Sequence, residues 1–224
     1  MWHSCSDSKT HARAIAHAIS TGLQRAIDRD GRAGLAVSGG RSPIPVFVEL
    51  SAADICWKNV HISLVDERFV APDDENSNEH LVRTHLLKRH AARAHFKGLI
   101  TDPGNIDRCV EQANRQAGKI NIAVLGMGDD GHTASLFPNA PQLAQALDAS
   151  QQKGYISVTP VTAPYERISM TLTALLETEQ LILSIAGKQK KEVFELASQA
   201  ATPALPISYL ISQNKVPFNV YWHP

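Results

Sequence analysis

With 224 residues, 43% of them hydrophobic, the chain is long enough to bury a sizeable core and is read as one domain of ordinary size. Its 22 Lys and Arg balance its 22 Asp and Glu, so no global field exists to gather nucleic acid or an anionic membrane, and any anionic ligand has to be met locally. The three cysteines, Cys5, Cys56 and Cys109, make no Cys-x-x-Cys pair and leave an odd count, which suits a reducing compartment better than a disulfide framework.

Met1 to Asp7 is polar with no apolar stretch behind it, and no run approaches the length of a membrane span. Neither a signal peptide nor a membrane partner is expected, and the cytoplasm is the expected compartment. From Lys9 to Arg29 apolar residues recur at three- and four-residue steps (Ala12, Ile15, Ala16, Ile19, Leu23, Ala26, Ile27), predicting an amphipathic helix. A short strand over Gly34 to Val37 follows. Ser38-Gly39-Gly40-Arg41-Ser42-Pro43 then turns into a helix through Val46, Phe47 and Leu50, with Ser42 predicted as N-cap and Pro43 in the first turn. Free N–H groups and two hydroxyls converging on a helix N-terminus favour phosphate. A merely well-capped turn would also have this sequence.

His61 to Val65 reads as the next strand, with the adjacent charges Asp66, Glu67 and Arg68 at its C-terminal end. Asp73 to Asn78 is turn-forming, and Asn78 is predicted to cap a helix through Leu81, Val82, Leu86 and Leu87. His80, His85, His90 and His95 are spaced by five, so they do not stack on one helix face as a metal pair would, and no other cluster has metal spacing. Asn105 to Ala117 reads as a helix leading into an apolar strand, Ile122 to Leu125.

The stretch after that strand, Gly126-Met127-Gly128-Asp129-Asp130-Gly131-His132, is the centre of the chain. It satisfies Gly-x-Gly-x-x-Gly, but two aspartates would repel a pyrophosphate, and Pro138 and Pro141 cut short any following helix. A nicotinamide cofactor is therefore not expected. The glycines instead build a specific turn that carries two carboxylates and an imidazole to a strand end, where open α/β sheets hold their ligands. A helix through Leu143 and Leu147 leads to a strand at Tyr155 to Val158. Glu166 to Leu172 alternates as a strand with Arg167 near its start, Leu181 to Ile185 is a buried strand, and Phe218 to Trp222 is the last one. Lys188, Lys190 and Lys191 open a helix; a solvated first turn would also carry them, but cations are unfavourable there, so the cluster calls for an anion. Strands alternating with helices, without repeats or linkers, predict an α/β fold: a single-domain, doubly wound, mostly parallel sheet with helices on both faces, Rossmann-like in plan.

Four stretches, in order, resemble the family that joins 6-phosphogluconolactonases to glucosamine-6-phosphate deaminases: Ser38-Gly39-Gly40-x-Ser42-Pro43, Asp66-Glu67-Arg68, Gly126-x-Gly128-x-Asp130-Gly131-His132-Thr133-Ala134-Ser135-Leu136-Phe137-Pro138, and Arg167-Ile168-Ser169 with Gly187-x-x-Lys190. The third is highly specific, and the whole resemblance spans nearly the full chain. Ser42 stands where the family usually has threonine. The resemblance implies hydrolysis of 6-phospho-D-glucono-1,5-lactone to 6-phosphogluconate, the second step of the oxidative pentose phosphate pathway, with no metal or organic cofactor and a small sugar-phosphate lactone as the only ligand class. A monomer or weak homodimer is expected.

Opening a δ-lactone needs a base for water, a donor for the oxyanion and a proton for the ring oxygen. An imidazole titrates near neutrality, which makes His132 the expected base, and the family analogy gives Asp130 the task of holding its ring. The same analogy places the phosphate in the Ser38-Gly39-Gly40-Arg41-Ser42 turn, with Arg68, Arg167 and Lys190 as cationic partners; Arg68 reaching the lactone oxygens is the alternative. Asp66 is expected to bind sugar hydroxyls or to order Arg68. Two rivals remain: a deaminase, which has a glutamate in an Asn-Glu-Pro sequence where this chain has Leu136-Phe137-Pro138, and a sugar-phosphate sensor that has lost turnover.

Overall fold

The computed structural model describes all 224 residues, Met1–Pro224. A three-residue strand, β1 (Trp2–Ser4), precedes the long helix α1 (Ser8–Asp30). The helix begins where the Asp7 carboxylate accepts from Thr10 N and ends at Gly31, whose φ of +74° lets its N–H return to the Ile27 carbonyl; a cap of the first kind contributes about 1 kcal/mol. Its expected apolar stripe is the face that is buried.

β2 (Ala33–Val37), α2 (Ile44–Ser51), β3 (Val60–Leu64), β4 (Asp66–Arg68), α3 (Asn78–His85), β5 (His95–Phe96), α4 (Ile106–Arg115) and β6 (Ile122–Leu125) follow. The second half runs α5 (Leu143–Leu147), β7 (Tyr155–Val158), β8 (Arg167–Met170), α6 (Leu172–Leu176), β9 (Gln180–Ala186), α7 (Lys188–Ala197), α8 (Ser208–Ile211) and β10 (Phe218–His223). No helix is long and apolar enough to cross a membrane.

Seven strands form one sheet in the order β1-β10-β9-β6-β2-β3-β5, every neighbour parallel. Parallel strands covered on both faces read as continuous apolar runs, and β2 and β6 are buried at every residue. The strand order reverses between β2 and β6: the chain builds outward from β2 through β3 to β5, then returns to the other side of β2. Such a switch point leaves a crevice at the carboxyl ends of the two central strands.

Three strands lie outside this sheet. β4, β8 and β7 form a separate antiparallel sheet, with Asp66 opposite Ser169 and Arg68 opposite Arg167. The charged triplet after β3 is thus a strand in its own right, tied back by the bonds Val65 N to Val37 O (2.9 Å) and Met170 N to Val65 O (2.8 Å). The strand expected to reach Leu172 stops at Met170, because the Thr171 hydroxyl accepts from Ala174 N and starts α6. Two expected helix caps are also corrected. Ser77 rather than Asn78 caps α3, accepting from His80 N. Pro43 occupies the cap position of α2, where no side chain makes a capping bond, so the Ser42 hydroxyl is not used there.

At the opposite end of the main sheet an ion network joins α1 to the start of β9. Arg29 lies 2.7 Å from Asp30 and 2.6 Å from Glu179, while Lys119 lies 2.9 Å and 2.7 Å from the same two carboxylates. Burial works to raise the Glu179 carboxyl, but its contacts with Lys119 and Arg29 outweigh that and hold it down to about 2. A depressed carboxyl adds stability that is complete above its unfolded value and disappears as pH falls through the folded one. The melting temperature is therefore expected to fall between about pH 4.3 and pH 2, and Glu179→Gln to flatten that slope in an acid titration followed by circular dichroism. High salt should shrink the effect, because the pairs are partly exposed.

Candidate active site

The turns that follow β2 and β6 begin as hydrogen-bonded neighbours, since Ser38 N donates to Val124 O at 3.0 Å. Between them opens a cleft of about 380 Å³ whose lining includes Ser38, Gly39, Gly40, Ser42, Asp66, Arg68, His132, Arg167 and Lys190. Residues from five separate stretches of sequence meet there. Two expected site residues lie elsewhere. Asp130 stands behind His132 rather than on the lining. Arg41 is exposed and off the lining: Gly40 adopts φ +92°, and the turn leaves the neighbouring guanidinium on the solvent side.

The loop after β6 is shaped around His132. Gly128 N donates to His132 O (2.9 Å), Gly131 N donates to Gly128 O (3.1 Å), and the Thr133 hydroxyl donates to Gly126 O (2.8 Å). These bonds fold the histidine back toward the strand end. Nδ1 of the ring lies 2.5 Å from Asp130 Oδ1, which also accepts the His132 backbone N–H at 3.1 Å. A carboxylate has no proton to give, so Nδ1 is the donor and Nε2 is left with its lone pair. Phe137 packs against the ring at 4.2 Å between centroids. Gly128 is required here, because a Cβ at that position would stand 2.2 Å from Nδ1. Burial acts to raise the Asp130 carboxyl, but the hydrogen bond and charge of His132 prevail and hold it below the usual carboxylate range. It stays ionised beside the ring nitrogen it holds.

The same cleft holds a concentration of positive charge. Arg68 Nη1 donates to Asn76 O (2.6 Å) and Asn78 Oδ1 (3.1 Å), Arg167 Nη2 to Pro164 O (2.9 Å), and Lys190 Nζ to Met127 O (2.5 Å). None of the three forms an ion pair. Arg68 and Arg167 are direct cross-strand partners, a juxtaposition of like charges that costs energy by itself. Burial first, then the charge of Arg68, lowers the Arg167 guanidinium from its ordinary value. Arg167 Nε and Ser38 Oγ are buried with no partner. Unsatisfied donors beside unpaired cations are the features of a site built for an anion.

Asp66 does not order Arg68. Its Oδ2 accepts from the Ser135 hydroxyl at 2.6 Å, while Asn76 and Asn78 hold the arginine. Gly39 makes room for that arrangement, since a Cβ there would lie 1.7 Å from Asn78 Oδ1. Glu67 points away and serves the fold, accepting from the backbone of Arg68, Asn78 and Glu79 and from the Ser77 hydroxyl at the start of α3. Asn76, Asn78, Ser135, Phe137 and Ser169 are thus parts of the site that charge and motif reading did not single out. Ser135, Phe137 and Ser169 did sit inside quoted motifs, whereas Asn76 was read only as part of a turn and Asn78 only as a helix cap. No group of three or more His, Cys, Asp or Glu side chains is placed to hold a metal ion.

The profile of the family described as glucosamine-6-phosphate isomerases/6-phosphogluconolactonase matches residues 6–222. A 6-phosphogluconolactonase of Neisseria meningitidis serogroup A is 42% identical over 227 residues, covering 99% of this chain and 98% of the relative. One from Pseudomonas putida is 37% identical over 99% of this chain and 92% of its own length. The crystal structure of a 6-phosphogluconolactonase from Shewanella baltica superposes with a TM-score of 0.95 at 36% identity, covering 100% of this chain and 97% of that one. A monomeric glucosamine-6-phosphate deaminase shares the fold, with a TM-score of 0.81 at 16% identity over 99% of this chain and 96% of that one.

Proposed function

The chain belongs to the glucosamine-6-phosphate isomerase/6-phosphogluconolactonase family and is a lactone-hydrolysing enzyme within it, and we propose that it opens 6-phospho-D-glucono-1,5-lactone to 6-phosphogluconate with His132 activating the attacking water. One observation carries this reading: the Asp130–His132 pair and three cations without counter-ions line or flank a single cleft.

In this mechanism Nε2 of His132 takes a proton from water as the oxygen adds to the lactone carbonyl carbon. The ring becomes positive, stabilised by the Asp130 carboxylate at Nδ1. The tetrahedral oxyanion collapses by breaking the bond to the ring oxygen, and Nε2 returns its proton to that oxygen. The product is a hydroxy acid, which releases one proton to solvent as it ionises. Phosphate at Arg68, Arg167, Lys190 and the free donors of the Ser38–Ser42 turn holds the substrate by its far end, so the carbonyl meets the histidine in a fixed orientation.

Freshly prepared 6-phosphogluconolactone should release acid in the presence of the protein above the spontaneous rate, and glucosamine 6-phosphate should release no ammonia. Ammonia would support a deaminase, and tight sugar-phosphate binding with neither product would support a sensor. The loop sequence Leu136-Phe137-Pro138 supplies no carboxylate for deamination.

The arginine pair allows a sharper check. Arg167→Met is expected to raise KM for the phosphorylated lactone by about 10- to 100-fold, the worth of a hydrogen bond to a charged group. Turnover of unphosphorylated D-glucono-1,5-lactone should change by less than about 3-fold, because that substrate never used the contact. Equal losses on both substrates would remove Arg167 from the phosphate end.

A further inference from the structure

Asp66 is the one carboxylate on the lining of a cleft otherwise equipped for an anion. It is buried to 9% exposure, and Oδ2 is engaged by the hydroxyl of Ser135, itself only 1% exposed. In that bond the serine hydroxyl donates and the carboxylate oxygen accepts. Ser135 is held in turn: its N–H donates to Ser169 Oγ at 3.1 Å, and the Ser169 hydroxyl donates to Met170 O at 3.0 Å. The second carboxylate oxygen, Oδ1, accepts nothing from the protein, and neither neighbouring guanidinium forms an ion pair with it.

A fixed, unpaired acceptor in a cleft makes a definite demand on its ligand. Once water is displaced, Oδ1 needs a hydrogen-bond donor or its desolvation is uncompensated. A phosphate dianion, the lactone carbonyl and the ring oxygen can only accept. The ring hydroxyls are the donors that such a substrate offers. Resting on the lactonase reading above, we propose that Ser135 acts as a positioning residue that locks Asp66 as a hydroxyl acceptor, and that this pair sets the selectivity of the site among phosphorylated lactones. Because Ser135 sits three residues after His132 on one loop, the element that aims the base also fixes the distance from the base to the carboxylate. Sites built to bond a hydroxyl reject analogues lacking it far more strongly than apolar pockets reject a missing methylene.

The test uses four substrates: 6-phosphogluconolactone and its three mono-deoxy analogues, lacking the hydroxyl at carbon 2, 3 or 4. The wild-type protein is expected to prefer the parent over at least one analogue by about 100-fold or more in kcat/KM. Ser135→Ala is expected to cut that preference by about 10-fold or more through a loss on the parent, while the rate on the rejected analogue stays within about 3-fold. Should alanine destabilise the loop, Ser135→Cys keeps the volume, supplies only a weak donor, and should show the same change. A uniform fall across all four lactones, or an unchanged preference, would overturn the inference, since a merely structural serine does not distinguish substrates by a hydroxyl. A wild-type protein that hydrolyses the parent without any preference overturns it as well. One that hydrolyses none of the four overturns the functional reading, and this inference with it.

Discussion

Replacing His132 with alanine is expected to lower kcat on 6-phosphogluconolactone by about 100-fold or more, with KM changed by less than about 3-fold. The expectation follows from the division of labour across the cleft. On the proposed mechanism the imidazole meets the substrate at the carbonyl, where its proton transfers matter only as the transition state forms, whereas binding comes from the cations that hold the phosphate. Spontaneous lactone opening has to be subtracted. A variant with unimpaired kcat would remove the base assignment outright, and one that loses binding as well as turnover would place the ring in the anion pocket. The Asp130 carboxylate, which the ring it contacts holds below the usual carboxylate range, would support the ring once it has taken up a proton.

Gly128→Ala should be nearly as damaging although it replaces no reacting group. The added Cβ would stand 2.2 Å from His132 Nδ1, 2.3 Å from Cε1 and 2.6 Å from Asp130 Oδ1, so the pair has to separate or rotate. A displacement of about 1 Å in a reacting group can cost 100-fold in rate, and a loss of roughly that size is expected in kcat. The sheet beneath the loop is undisturbed, and the melting temperature should shift by no more than a few degrees, about the effect of 1 kcal/mol in a domain of this size. Combining Gly128→Ala with His132→Ala should be scarcely worse than His132→Ala alone, since both remove the same interaction. An active Gly128→Ala variant would mean that the Asp130–His132 contact is not the working geometry.

Most of the scaffold was legible because buried parallel strands leave plain apolar runs and amphipathic helices leave a periodic stripe. β2, β6 and α1 are of this kind. The turns after β2 and β6 were legible for another reason: glycine, serine and aspartate in those orders have few uses other than turns. What escaped had no periodicity to show. β1 spans three residues and β5 two, each held by the neighbour it pairs with rather than by its own pattern. The triplet Asp66-Glu67-Arg68 contains no apolar residue, and only its partner β8, about one hundred positions later, makes it a strand. Ser77 and Asn78 are both good capping residues. The choice between them is settled by the Glu67 carboxylate, which occupies the backbone N–H groups of Asn78 and Glu79. Arg41 shows the limit of reading a turn by composition, since its guanidinium faces solvent although it sits between residues that line the cleft.

The pleat of the small antiparallel sheet sorts neighbouring charges into separate occupations. Asp66 and Arg68 line the cleft, while Glu67, between them, is turned inward to anchor the first turn of α3. Two acidic residues adjacent in the chain are therefore not interchangeable spares: one opens onto the cleft, where the proposed substrate would meet it, and the other keeps a helix in place. Sliding the strand by a single position would swap these places, sending the cleft carboxylate into the interior and the anchoring one into the cleft, so pairing register itself decides which charges the cleft presents.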